Sequence, residues 1–161
     1  MNYIKRKGWK KVPQSRPREL GKTIMKTKCV LKKKEQPDGI ICFKMQCVSK
    51  GFQQTPGIDF TESFVPVAND TSIQVGIGVA LYSKAWTIEV IDIEAAFLEG
   101  EITEPTFIHF PEGMQQFGFI QEGKRDQYCI ELKKSIYGNV NAALKFFQTY
   151  STHLINTHGS A

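Results

Sequence analysis

Asp92 closes a row of apolar residues. In the alternating run from Trp86 to Asp92, the side chains of Trp86, Ile88, Val90 and Asp92 fall on one side of an expected strand, so a carboxylate ends a face otherwise suited to a core. Burying an unpaired carboxylate is costly, which leaves three readings: exposure at the strand end, hydrogen bonding, or coordination of a cation. A second polar set lies in the run 40–50, where Lys44 and Gln46 share a face while Ile41, Phe43, Met45 and Cys47 point the other way. The charge distribution suggests a use for such a face. Fifteen of the 21 lysines and arginines fall within the first 50 residues, which hold only Glu19, Glu35 and Asp38 as acids. A basic front half and a mildly acidic rear half fit a chain in which one lobe touches phosphates and the other holds a metal. A solvated lysine-rich surface is the plain alternative.

The elements needed to position these groups can be read from periodicity and turn chemistry. Residues 1–21 carry Pro13, Pro17 and two glycines among basic side chains, the composition of an irregular, loosely held lead-in, and residues 22–161 form the domain proper. The β-prone runs 22–34 and 40–50 flank Glu35-Gln36-Pro37-Asp38-Gly39, a hairpin turn in which proline presets one dihedral and glycine accepts positive φ. Pro56-Gly57 and Pro66 mark a connecting loop over 51–69. A helix then follows, with Asn69 to Ser72 as N-cap choices and Ile73, Ile77, Ala80, Leu81 and Lys84 at helical spacing. After the strand that ends at Asp92, Ile93 to Gly100 predicts a short helical turn. Thr106–Phe110 and Tyr128–Leu132 predict strands, separated by a turn at Pro111-Glu112-Gly113. Ala143, Phe147, Tyr150 and Leu154 give an amphipathic helix over 139–156. This order predicts an α+β domain with one sheet face covered by helices.

With 161 residues, 41% hydrophobic and 23% charged, the chain can bury one core, and its formal charge of +5 favours a polyanionic partner without deciding the matter. Cys29, Cys42, Cys47 and Cys129 form no CxxC pair and sit in apolar runs, so they are expected to be reduced and buried. His109, His153 and His158 do not combine with them at zinc-finger spacing. No apolar run reaches the roughly 20 residues of a membrane span, and no signal peptide is apparent, so an intracellular protein without a membrane partner is expected.

Asp92-Ile93-Glu94-Ala95-Ala96-Phe97-Leu98-Glu99-Gly100 closely resembles the first catalytic motif of copia-type retrotransposon reverse transcriptases, in which an aspartate is followed by a small turn and Ala-Phe-Leu. Further blocks resemble the same family in the same order. Lys44-Met45-Gln46-Cys47-Val48-Ser49-Lys50-Gly51-Phe52 is similar to its Lys-Ala-Arg-Leu-Val-Ala-Lys-Gly-Phe segment. Pro56-Gly57-Ile58-Asp59-Phe60, Thr61-Glu62-Ser63-Phe64-Val65-Pro66-Val67 and Thr71-Ser72-Ile73 follow, then Pro111-Glu112-Gly113 and Leu132-Lys133-Lys134-Ser135-Ile136-Tyr137-Gly138. Each block alone is weak; together they span roughly residues 9 to 150.

The resemblance implies a partial right-hand polymerase, with the hairpin as fingers and Asp92 in part of the palm sheet. It implies an RNA-directed DNA polymerase that uses two divalent cations about 4 Å apart, Mg2+ or Mn2+, on an RNA/DNA template-primer and deoxynucleoside triphosphates, within a retroelement polyprotein. By that likeness Asp92 bridges the metals, the backbone carbonyl of Ile93 adds a ligand, and Phe97 lies under the incoming sugar and selects against a 2′-hydroxyl. Lys44, Gln46 and Lys50 face the triphosphate, and Tyr137, Gly138 and Asn141 position the template. Ordinary core packing is the plain alternative for Phe97.

Departures from the pattern fall where phosphate should bind. Gln46 stands at a usual arginine, Asn69 and Gln74 at usually basic positions, and Cys29 at a usual tryptophan. Asn139-Val140-Asn141-Ala142-Ala143-Leu144 replaces a family segment richer in cations, Asn141 taking a glutamine position. The 161 residues contain no Tyr-x-Asp-Asp motif and no Asp-Asp pair. The expectation is therefore a fragment inactive by itself, as a decayed copy or an incomplete gene reading would give. Two other readings carry different expectations: a non-catalytic, basic nucleic-acid-binding remnant, and an unrelated α+β domain with a merely solvated basic face.

Overall fold

The computed structural model describes residues 8–83 and 86–158. The expected elements at residues 1–7, at Lys84 and at 159–161 lie outside them. Helices and strands combine in a mixed fold with a four-stranded sheet and a separate two-stranded hairpin. The sheet consists of β1 (Trp9–Pro13), β2 (Ile24–Met25), β5 (Glu101–Ile108) and β6 (Tyr128–Lys134), in the order β1-β6-β5-β2. β1 and β5 flank β6 antiparallel, and β2 adds to β5 in parallel.

The expectation of an irregular lead-in is corrected for its described part. Trp9–Pro13 pairs along β6, and the short helix α1 (Ser15–Glu19) follows with Pro17 fully buried. Lysine-rich composition misled here because an edge strand tolerates lysines and needs few residues inside: Val12 is buried and Trp9 partly buried, while Lys10 and Lys11 face solvent. Pro13 is tolerated because it ends an edge strand.

β5 and β6 place their side chains on two faces. Ile108, Ile130 and Leu132 join Met25, Leu98, Phe110, Met114, Ile120 and Ile136 in the main core, whereas Phe107 and Cys129 meet Val12 on the opposite face. Trp9 closes the main core edge-on to Phe110, with centroids 6.3 Å apart, and to Phe119, 5.9 Å apart. Between the strands the chain turns at Gly113, whose φ is 84°, and Arg125 donates from Nε and Nη2 to the Phe110 carbonyl at 3.2 and 2.8 Å, clamping that turn.

Glu131 is a buried carboxylate on β6. Lys133 Nζ reaches it at 2.7 Å and Arg16 Nε at 3.1 Å. Burial would raise its pKa, but the Lys133 hydrogen bond and the charges of Lys133, Arg16 and Lys10 outweigh that and hold it below the ordinary glutamate value. At the β2 end of the sheet, burial and the neighbouring Arg125 and Lys26 charges lower the pKa of His109, against an opposing pull from Asp126. Both shifts act in the same direction. The stabilisation from Glu131 is full above the unfolded-chain value of about 4.3 and is lost as pH falls through it toward the lower folded value. His109, whose pKa is lowered in the fold, opposes folding as pH drops below about 6.5. Urea unfolding should therefore show stability falling from pH 7 to about pH 3, with a shallower fall in Glu131→Gln below about pH 4.3. Parallel pH profiles for the two proteins would remove Glu131 as a cause.

The hairpin β3 (Thr27–Glu35) and β4 (Ile41–Ser49) forms as expected, in register from Thr27 opposite Ser49 to Glu35 opposite Ile41. Gly39 takes φ 79° in the turn, and Asp38 Oδ1 accepts the Ile40 N–H at 3.1 Å. Its apolar face is less covered than alternation suggests: Leu31 is 67% exposed, Phe43 71% and Met45 52%. Alternation predicts which side chains share a face and does not supply a second layer to cover it.

Helix α2 (Asp70–Tyr82) is capped as expected, Asn69 Oδ1 accepting the Ser72 N–H at 2.7 Å, yet none of its residues is buried. The expected strand Trp86–Asp92 is corrected. These residues are irregular and exposed, because no strand among the described residues pairs with them and an alternating run without a ladder has nothing to hold it extended. The expected helical turn exists as a 3-10 turn, Ala96–Leu98, entered through Ala95 at φ 56°. The final helix α3 (Ala142–His158) packs on that turn and on β5, close enough that an added Cβ at Gly100 would stand 2.9 Å from the Phe146 nitrogen.

Candidate functional site

Two segments that lie far apart in sequence dock on each other by backbone contact. Ser49 N donates to the Tyr137 carbonyl at 2.8 Å, and Ser49 Oγ donates to Asn139 Oδ1 at 2.6 Å. Gln54 Oε1 accepts the Val140 N–H at 2.9 Å. Glycine is required on both sides. A Cβ at Gly51 would overlap the Gly138 carbonyl oxygen, and one at Gly138, where φ is 92°, would overlap the Ser49 carbonyl oxygen. The base of the hairpin is thereby fastened to the segment that leads into α3.

The neighbouring loop is fastened in the same way. Asp59, buried, accepts the N–H groups of Thr23 at 3.0 Å and Thr55 at 2.8 Å, and Lys22 Nζ bonds the Ile58 carbonyl. Gln53 Oε1 accepts the Lys26 N–H at 2.7 Å, where β2 passes into β3. The Pro56-to-Phe60 block thus serves as a buttress in which a carboxylate substitutes for missing backbone acceptors.

Between hairpin and sheet lies an open cleft of about 860 Å³. Its walls include Cys29, Phe43, Met45 and Cys47 from the hairpin, Glu94, Ala95 and Leu98 from the turn after Asp92, and Trp9, Met114 and Ile136 from the sheet side. Lys44, Gln46 and Tyr137, three of the residues singled out in the sequence, also line it. Phe97 joins them indirectly: its ring meets that of Tyr137 edge-on, with centroids 5.2 Å apart. Lys50 faces a different, smaller hollow of about 370 Å³ at the hairpin base, shared with Lys26, Thr27, His109, Glu112, Arg125 and Asp126.

Gly138 contributes its backbone at the docking point, and Asn141 is buried immediately before α3. Asp92 is exposed and Ile93 partly buried, and neither lines either hollow. Among the described residues, no three His, Cys, Asp or Glu side chains come together as a metal site. One carboxylate and one backbone carbonyl do not make a two-metal centre, so Asp92 and Ile93 do not fit that pair of cations by themselves.

The hairpin has two unlike faces. Lys28, Lys32 and Lys34 share one with Lys44 and Gln46, and Lys32 stands directly opposite Lys44. Like charges in direct opposition destabilise a strand pair, and no ion pair among the described residues relieves these four lysines. The other face carries Leu31 together with Cys29, Phe43, Met45 and Cys47, and these last four line the cleft.

The chain belongs to the reverse transcriptase (RNA-dependent DNA polymerase) family, whose model matches residues 8–159. The relatives it matches are retrotransposon polyproteins of the copia type. It is 33% identical over 148 residues to the Retrovirus-related Pol polyprotein from transposon RE2 of Arabidopsis thaliana, covering 91% of this chain and 10% of that protein. The corresponding polyprotein from transposon RE1 of the same plant is 33% identical over 134 residues, 83% of this chain and 9% of the relative. That from transposon TNT 1-94 of Nicotiana tabacum is 35% identical over 135 residues, 83% of this chain and 10% of the relative. The chain therefore spans about a tenth of the length of these relatives. No solved structure matches it at a significant level. Among the described residues, no helix is long and apolar enough to cross a membrane.

The docking residues Ser49, Gln54, Asp59 and Asn139 escaped the sequence reading of the site. Their partners lie up to 90 positions away, and no local periodicity signals such a pair. The usable signal was Gly51 and Gly138 inside family-like blocks, since glycine in a fixed motif points to close backbone approach.

Proposed function

We propose that this chain supplies the fingers hairpin and part of the palm of a copia-type reverse transcriptase, acting as part of a larger retroelement polyprotein. The observation that carries the reading is the uncompensated lysine face of the hairpin, with Lys32 against Lys44, fastened through Ser49 and Gly51 to the Tyr137-Gly138 segment. A polyanion laid along that face relieves the repulsion, so the RNA/DNA template-primer or a nucleoside triphosphate is its natural partner. Lys44 and Gln46 reach phosphate from the hairpin, Phe97 backed by Tyr137 forms the sugar platform, and Gly138 and Asn141 hold the template side.

Asp92 and the Ile93 carbonyl contribute one part of a divalent-cation site, for Mg2+ or Mn2+, whose further carboxylates are not supplied by an Asp-Asp pair in these residues. The 161 residues by themselves are therefore expected to give no template-dependent extension of a primer with deoxynucleotides and magnesium. Product above the no-protein background would overturn this part of the reading. The second reading, a non-catalytic nucleic-acid-binding remnant, is favoured by the loss of cations at Gln46 and within the segment 139–144. It shares the lysine face, and the two separate when the same primer-extension assay is run on a polypeptide that continues through a Tyr-x-Asp-Asp segment. Activity there supports the polymerase reading, and its absence supports the remnant.

A further inference from the structure

Hydrogen bonds at the two ends of the hairpin fix which cross-strand pairs lie close together. Gln36 N donates to the Ile40 carbonyl beside the turn, and Lys50 N donates to the Lys26 carbonyl at the base, both at 2.9 Å. Facing pairs alternate between hydrogen-bonded and non-hydrogen-bonded types along an antiparallel ladder. Counting inward from either end, Cys29 opposite Cys47 is a non-hydrogen-bonded pair, the type whose Cα atoms stand about 4.5 Å apart with side chains toward the same face. A separation of that size lies inside the range a disulfide spans, about 4.4 to 6.8 Å.

The other two thiols are turned away. Cys42 points to the lysine face and receives a hydrogen bond from Gln36 Nε2, and Cys129 is buried in the sheet. Cys29 is exposed, in contrast to the burial its apolar surroundings suggested, and both Cys29 and Cys47 border the cleft.

We propose that Cys29 and Cys47 are a modification site, closing to a reversible cross-strand disulfide on reaction with a low-molecular-weight disulfide. In the first exchange the Cys29 sulfur, as thiolate, attacks one sulfur of the reagent, forming a mixed disulfide and releasing one thiol. In the second the Cys47 sulfur, having given its proton to solvent, attacks the Cys29 sulfur and expels the second thiol. The two protein thiols are oxidised to one disulfide while the reagent disulfide is reduced to two thiols. Burial pushes the Cys47 thiol up, and this cause persists in the mixed disulfide, so it slows the second exchange. Since the pair lies on the face opposite Lys44, the bridge stiffens the cleft wall and leaves the lysine row in place.

The test is to incubate the whole chain with glutathione disulfide, block remaining thiols, and map crosslinked peptides by mass, in native buffer and in urea. Loop entropy alone favours joining Cys42 to Cys47 over Cys29 to Cys47 by roughly sevenfold. The fold reverses that preference, so Cys29–Cys47 is expected to dominate in native buffer, to lose its lead in urea, and to revert with reduced glutathione. Cys42→Ser is expected to leave its native yield unchanged. A native product that is mainly the Cys29–glutathione adduct, or one in which Cys42–Cys47 still prevails, would overturn the proposal.

Discussion

Gly138→Ala and Gly51→Ala are each expected to destabilise the fold by about 3 kcal/mol or more, a magnitude reserved for overlap that neither neighbour can relieve. At both positions the obstructing atom is a backbone carbonyl oxygen, which cannot swing aside as the end of a flexible side chain can. Gly138 carries the further cost of φ 92°, a region that L side chains rarely adopt. Gly118 is the control, since it shares a positive φ of 74° but has open space around its missing Cβ. Gly118→Ala should cost only the dihedral term, about 1 kcal/mol. For a domain of this size the docking variants should melt roughly 10 °C below the parent protein in thermal unfolding. A Gly51→Ala protein that melts with the parent would show that the hairpin base and the Tyr137-Gly138 segment are not in backbone contact.

Binding of an RNA/DNA hybrid to the whole chain is expected to weaken steeply with salt. If the four lysines of the hairpin face each neutralise one phosphate, the affinity falls by roughly two orders of magnitude between 50 and 200 mM salt. Replacing Lys28, Lys32, Lys34 and Lys44 together by glutamine should then flatten the logarithmic salt slope by about 3 to 4. All four side chains are exposed, so circular dichroism should report an intact fold in the variant. Fluorescence anisotropy with a labelled hybrid at several salt concentrations measures both quantities. A parent protein whose affinity ignores salt, or a variant that keeps the parent slope, would remove the hairpin face as the phosphate contact.

The register of the hairpin illustrates how much local sequence can carry. Its turn residues sit between two alternating runs, so the ladder from Thr27 to Ser49 follows from chemistry within about two dozen residues of chain. The same holds for the Asn69 cap of α2, the turn at Gly113, and the strand and helix at the end of the chain. Ordered blocks from Lys44 to Gly138 likewise determined the family, because each block is a local string that survives substitution elsewhere.

What depended on partners distant in the chain was decided by the tertiary structure alone. Trp9–Pro13 became a strand because β6, more than 100 residues later, offers it a ladder, while Trp86–Asp92 alternates as well and stays irregular among the described residues for want of one. Cys29 and Cys47 were read as separate buried thiols, and only strand pairing set them face to face. Lys44 and Lys50, six residues apart, were parted into two hollows by the docking of Gly51 on Gly138. Asp92 itself was identified by its neighbours in sequence, but its surroundings were not: a carboxylate gains a role from the groups that converge on it, and convergence is a property of the folded chain.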